Sequence, residues 1–227
     1  RETPDNSSRE AVKLIDYDRE AEVKFVAAYL FRGHEASYGA ELARARNLSA
    51  DERAKLIDTA LSGRGDFDVP LRELEHTTLS VECVMDQGAY FDVKRHRMMT
   101  QTAQPLTVDL GYATPKAIAV AGYLDRYTQA MQAAIDAYHT LATEFPKEAA
   151  YVVPNASNRR VLMTMNLREA FHFCYLRGGP TGHFSYRRIA IRLYEILREV
   201  YPALAAYMRC AEYPPAIEIE REFFESV

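Results

Sequence analysis

The 227-residue chain has no apolar run approaching the roughly 20 residues that a bilayer-spanning helix needs, because charged side chains interrupt every hydrophobic segment. No membrane role is expected. Positive charge is also in short supply: 28 Lys and Arg against 32 Asp and Glu leave a net charge of −4 and a pI near 5.9. A balance of that sign gathers no nucleic acid by counterion release, so any anion must be held by a local cluster. Cysteine is scarce. Cys83, Cys174 and Cys210 are odd in number, far apart and without the C-x-x-C spacing of zinc or dithiol chemistry. Each lies in an apolar pattern and reads as a small hydrophobe in a reducing, cytoplasmic setting. The six histidines (His34, His76, His96, His139, His172 and His183) form no H-x-x-x-H pair and have no cysteine partner at ligand spacing, so no metal site is expected. The start has neither an initiator Met nor the layout of a signal peptide, and it reads as a cut from a longer protein.

What is present is a chain with 48% hydrophobic residues, enough to bury a core. Apolar residues at helical spacing predict one long or broken helix over 18–47, weakened at Gly33 and Gly39. Ser49 and Glu52 make a capping box that opens a helix running to about Ser62, followed by a loop to Pro70. From His76 to Asp86 the pattern alternates, with Leu79, Val81, Cys83 and Met85 on one face, which predicts a half-buried strand. Helical spacing returns over 87–99, and a polar stretch over 100–114 predicts loop or irregular strand. Thr114 and Pro115 predict the start of a long helix reaching Phe145, with a helical turn over 146–153. Val161, Met163 and Met165 mark a second strand over 160–165. Asn166 caps a helix to Arg177, which Gly178, Gly179 and Pro180 stop. A helix over 181–200, a short one over 202–211 and an exposed acidic tail over 217–227 complete the pass. No repeat and no linker interrupts it, so residues 1–227 read as a single α+β unit: a mixed or antiparallel sheet flanked by long helices.

Two basic constellations stand out. Arg95, His96 and Arg97 close the segment after the first strand, where two planar guanidinium forks and an imidazole within one turn can hold a pyrophosphate or an electron-rich ring. The alternative is ordinary satisfaction of a helix C-terminus by basic residues. Asn166, Arg168 and His172 share the start and one face of a later helix, with Arg177 at its end. The alternative there is a simple cap, a solvated Arg and a half-buried His.

Taken together, Glu75-His76, the strand, Arg95-His96-Arg97, the long helix, the strand into Asn166-Leu167-Arg168, Leu176-Arg177 and Arg187-Arg188-Ile189-Ala190 resemble the flavin-dependent thymidylate synthase family over roughly residues 76–204. The resemblance implies FAD held by His76, Arg95, His96, Arg97, Asn166 and Arg168, with His172 standing where the family often has Asn. It implies Arg177 as the catalytic-site ligand of the pyrimidine. It further implies an α+β homotetramer with each flavin where subunits meet, and conversion of dUMP to dTMP with methylenetetrahydrofolate and NADPH. The nucleotide half departs from the pattern. Pro105 stands where the family has Ser, Thr107 where it has Arg, Ala103 where it has an acid, and Ala150 where an upstream Arg is expected. Two rival expectations follow: a degenerate domain that binds FAD or completes the assembly for a sister domain, and a structural oligomerisation module that binds nothing.

Overall fold

In the computed structural model the described residues are 10–65 and 67–227; the leading nine residues and Asp66 lie outside them. A four-stranded, fully antiparallel sheet in the order β1-β2-β5-β3 forms the centre, with helices packed on it, so the architecture is α+β. Its middle pair is β2 (Thr78–Asp86) and β5 (Asn158–Asn166), joined in continuous register with Leu79 opposite Met165, Val81 opposite Met163 and Cys83 opposite Val161. These six side chains are all at most 2% exposed and form one floor of the core. The opposite face of the same strands mixes Val84 and Leu162 with polar pairs, a Ser80–Thr164 hydrogen bond of 2.8 Å and an Arg160–Glu82 ion pair of 2.6 Å. Alternation at period two is what separates the two faces.

The flanking strands are less legible. β1 (Val12–Tyr17) pairs with β2 but carries a bulge between Leu14 and Asp16, which breaks the alternation; no strand was expected there. β3 (Thr100–Ala103) is a four-residue edge strand within the stretch expected to be irregular.

The expected first helix is divided into α1 (Ala21–Gly33) and α2 (Tyr38–Asn47), with Ser37 capping the second. α3 (Ala50–Leu61) begins at the capping box, in which the Ser49 hydroxyl accepts from the Glu52 amide and the Glu52 carboxylate accepts from the Ser49 amide. Ser49→Ala should lower stability by about 1 kcal/mol, read by chemical denaturation; an unchanged midpoint would show that this cap contributes nothing.

A 3-10 turn over 72–76 leads into β2, so His76 belongs to that turn and not to the strand that was read from it. α4 (Gln87–Val93) is shorter than its pattern and gives way to turns before Arg95. Thr114 and Pro115 do not begin a long helix. They form β4, which pairs with β6 (Phe224–Ser226), and the helical segment is broken into α5 (Lys116–Val120) and α6 (Leu124–Glu144). Gly122, with φ at +76°, makes the break, a backbone region that glycine enters without steric cost.

α7 (Leu167–Gly178) starts where Asn166 accepts from the Glu169 amide at 2.9 Å, and α8 (Phe184–Val200) packs against it with Ile189, Leu193 and Leu197 buried. The short α9 (Pro202–Ala205) follows. The acidic tail is not simply exposed: α10 (Ala216–Phe223) turns Ala216 and Ile219 onto Ile191 of α8, Glu220 pairs with the buried Arg188 at 3.2 Å, and β6 closes the chain against β4. No described helix is long and apolar enough to cross a membrane.

Candidate functional site

The first turns of α7 and the loop before β2 face each other across a cavity of about 240 Å³ lined by Asn166, Arg168, Glu169, His172, Glu75 and Met98, with Val69 and Pro70 at its edge. The strand-to-helix junction brings these residues together. β5 ends at Asn166, whose side chain caps α7, and the helical period then sets Arg168 and His172 on one face. Arg168 also ties the opposite wall to the helix, donating through Nε to the Pro70 carbonyl and through Nη1 to Glu75 Oε1, both at 2.9 Å. Glu75 accepts in addition from Arg72. Those Arg72 bonds, and to a lesser degree Arg168, hold its carboxyl below the usual carboxylate range.

Behind the cavity lies a buried polar chain. His96 and Glu169, 4% and 7% exposed, meet at 2.9 Å between Nδ1 and Oε1. Arg177, at the far end of α7, donates from Nε to His96 Nε2 at 2.9 Å and from Nη2 to the Asp92 carbonyl at 3.0 Å, and its guanidinium carbon stands 5.3 Å from the centre of the Tyr186 ring. The Phe173 ring meets His96 edge-on at 5.0 Å and the His172 ring lies at 5.6 Å. One helix thus carries the cavity wall and the partners of His96.

Asn166, Arg168 and His172 share the cavity, while His96 and Arg177 stand behind it and are coupled to it through Glu169. Arg95 and Arg97 are exposed on the turn, with Arg95 ion-paired to Asp92 at 3.5 Å. His76 is on the other side of Glu75, where it lines an open groove of about 850 Å³ with Phe31, Tyr38 and Arg72. Glu169, Asp92 and Tyr186 were not singled out by the sequence. Glu169 carries a faint signal, an acid three residues after a capping Asn, which is also the ordinary composition of a helix first turn.

Where the resemblance leads one to expect nucleotide contacts, β3 ends at Ala103 and Pro105 and Thr107 follow; Thr107 Oγ1 accepts from the Asp109 amide at 3.1 Å. A cation does reach this segment from a different strand. Arg159 donates to the Gln104 carbonyl at 2.6 Å and to Gln87 Oε1 at 2.7 Å, over the Tyr90 ring. Burial lowers its pKa.

All three cysteines are buried free thiols. Burial raises each, Cys210 to about 12. None supplies a thiolate near neutral pH. Among the described residues no cluster of His, Cys, Asp and Glu could hold a metal ion.

Helices on an antiparallel sheet, with a capped helix presenting Asn, Arg and His to a cleft, define an α+β class of fold. Residues 13–203 match the family model described as thymidylate synthase complementing protein, and the chain belongs to that family, which includes relatives named flavin-dependent thymidylate synthase. A UPF0159 protein of Chlamydia muridarum is 34% identical over 209 residues, covering 91% of this chain and 39% of the relative. A UPF0159 protein of Thermoplasma acidophilum is 31% identical over 218 residues, covering 92% and 44%. The flavin-dependent thymidylate synthase of Geobacter sulfurreducens is 30% identical over 198 residues, covering 82% of this chain and 81% of the relative. The chain therefore spans about two fifths of the length of the UPF0159 relatives.

Proposed function

We propose that the chain is a thymidylate synthase of the FAD-dependent type with a divergent nucleotide site, methylating dUMP to dTMP with methylenetetrahydrofolate as carbon donor and NADPH as reductant. The observation that carries the proposal is the cavity at the start of α7, where a guanidinium, an imidazole and apolar walls meet. These residues fit the group. Arg168 and the α7 N-terminus offer donors to a phosphate or an electron-rich ring edge, and Met98 and Val69 offer flat apolar surface, exposed at 73% and 67%. At about 240 Å³ the cavity falls below the ~300 Å³ at which small-molecule pockets begin, so a dinucleotide seated there extends beyond it. That supports an oligomer, proposed as a tetramer, in which a neighbouring surface completes each site.

In this proposal Asn166, Arg168 and His172 line the flavin seat, Arg95, Arg97 and His76 reach it from the adjacent turn and groove, and His96 supports it from behind. Bound flavin would supply hydride transfer. The chain's own part is placement and charge: fixed guanidiniums favour an anionic ring, and Arg177 presents N–H donors to a pyrimidine carbonyl.

A second reading, a domain that holds flavin while a sister domain supplies the nucleotide contacts, is favoured by Pro105 and Thr107. Charged hydrogen bonds contribute about 1.5–3 kcal/mol each, so losing two donors weakens a nucleotide monophosphate by roughly two to four powers of ten. The deciding experiment is the absorbance of the purified chain with added FAD, followed by a dUMP titration. A flavin spectrum with saturable dUMP binding supports the complete enzyme, and a flavin spectrum without saturation supports the sister-domain reading. A colourless protein that takes up no FAD discards both in favour of a structural module.

A further inference from the structure

We infer that Glu169 is a positioning residue: its carboxylate holds the buried His96 ring as the Nδ1–H tautomer, and so leaves Nε2 as the acceptor that fixes Arg177. The Arg177 guanidinium can only donate. With its Nε–H aimed at His96 Nε2 at 2.9 Å, that ring nitrogen must present a lone pair. The single ring proton is then on Nδ1, where Glu169 Oε1 stands 2.9 Å away to accept it. A cationic ring would set two N–H groups against each other. Water does not substitute for Glu169 at Nδ1, since the His96 and Glu169 side chains are almost wholly buried and Phe173 closes the ring edge-on.

Glu169 is itself fixed before it meets His96. It occupies the first turn of α7, and its backbone amide is held by Asn166, so the cap that begins the helix also sets the carboxylate. The direction of control therefore runs from α7 through Glu169 and His96 to Arg177, with Asp92 receiving the other side of the guanidinium through its carbonyl and, at 3.4 Å, its carboxylate. Of the five guanidinium N–H groups, these contacts engage three and leave two for a ligand. Neither Glu169 nor the tautomer belongs to the set of residues that the resemblance assigns to flavin. The functional consequence, a fixed donor pair facing a pyrimidine, rests on the thymidylate synthase reading; the tautomer itself does not.

The test is nitrogen-15 NMR of the histidine side chains in the full chain without flavin. The expected spectrum has His96 with a protonated Nδ1 and an unprotonated Nε2, and an Arg177 Nε–H protected from exchange. Glu169→Met, similar in size but without an acceptor, should let the ring proton redistribute and speed Arg177 Nε–H exchange by about tenfold, the equivalent of one charged hydrogen bond. Glu169→Gln, whose amide carbonyl still accepts, should keep the native pattern. A wild-type His96 protonated at Nε2 overturns the inference even if the Met variant fails to fold, and so does a folded Met variant with unchanged spectra. Flavin uptake, read separately by absorbance, bears only on the functional reading.

Discussion

Phe173→Ala should lower the unfolding free energy by about 3–5 kcal/mol, the usual loss for a buried aromatic ring replaced by a methyl. The side chain is fully buried in the core, and its ring meets His96 edge-on. The expected loss thus has two parts: transfer of a large apolar ring, and a cavity beside a buried imidazole whose partners are polar. Chemical denaturation reads the first. The second should appear as a broadened or shifted His96 resonance in the folded variant. A loss under about 1 kcal/mol would mean that α7 collapses into the space, and that the ring does not fix the depth of the helix.

Arg168→Ala should weaken FAD binding by about ten- to a hundredfold, since a charged hydrogen bond contributes about 1.5–3 kcal/mol and each 1.4 kcal/mol is a factor of ten. The guanidinium serves twice: it lines the cavity, and it braces the 70–75 wall through Pro70 and Glu75. Its side chain is 31% exposed, so its removal leaves the core intact. Arg192→Ala, which removes only an exposed pair with Glu195 on α8, is the control. Flavin fluorescence quenching measures both variants. Equal affinities for wild type and Arg168→Ala would show that flavin does not sit in this cavity. The brace is also pH-sensitive in a definite sense. Because Glu75 is held below its ordinary pKa, its attraction to Arg72 and Arg168 is fully present above the usual carboxylate range and is lost as the pH falls through the depressed value.

The central strands were readable because they alternate without interruption. Leu79, Val81, Cys83 and Met85, and Val161, Met163 and Met165, form the buried floor in the same phase that the pattern predicts. The caps at Ser49 and Asn166 were readable for a similar reason: a short side chain satisfying amides two or three residues ahead is a local event. β1 was not readable. Its bulge between Leu14 and Asp16 breaks the period, and its existence depends on β2 offering a free edge. The acidic tail misled because composition hides a face: Ala216 and Ile219 are spaced for a helix, but only α8 makes burying them worthwhile.

What the sequence by itself determined about this protein is its α+β character, its two core strands, the capped helix after Asn166 and the family pattern of basic residues. Each is written in contacts between residues a few positions apart, or in motifs whose order survives in one dimension. What only the tertiary structure decided is how the basic residues divide: Asn166, Arg168 and His172 on a cavity, His76 in a separate groove, and His96 buried between Glu169 and Arg177. His96 is 73 residues from Glu169 and 81 from Arg177, separations over which no helical or strand period carries information. The packing of α7 and of α4 against α8 brings them within hydrogen-bond reach, and that packing is set by the burial of apolar faces and not by the polar residues it joins.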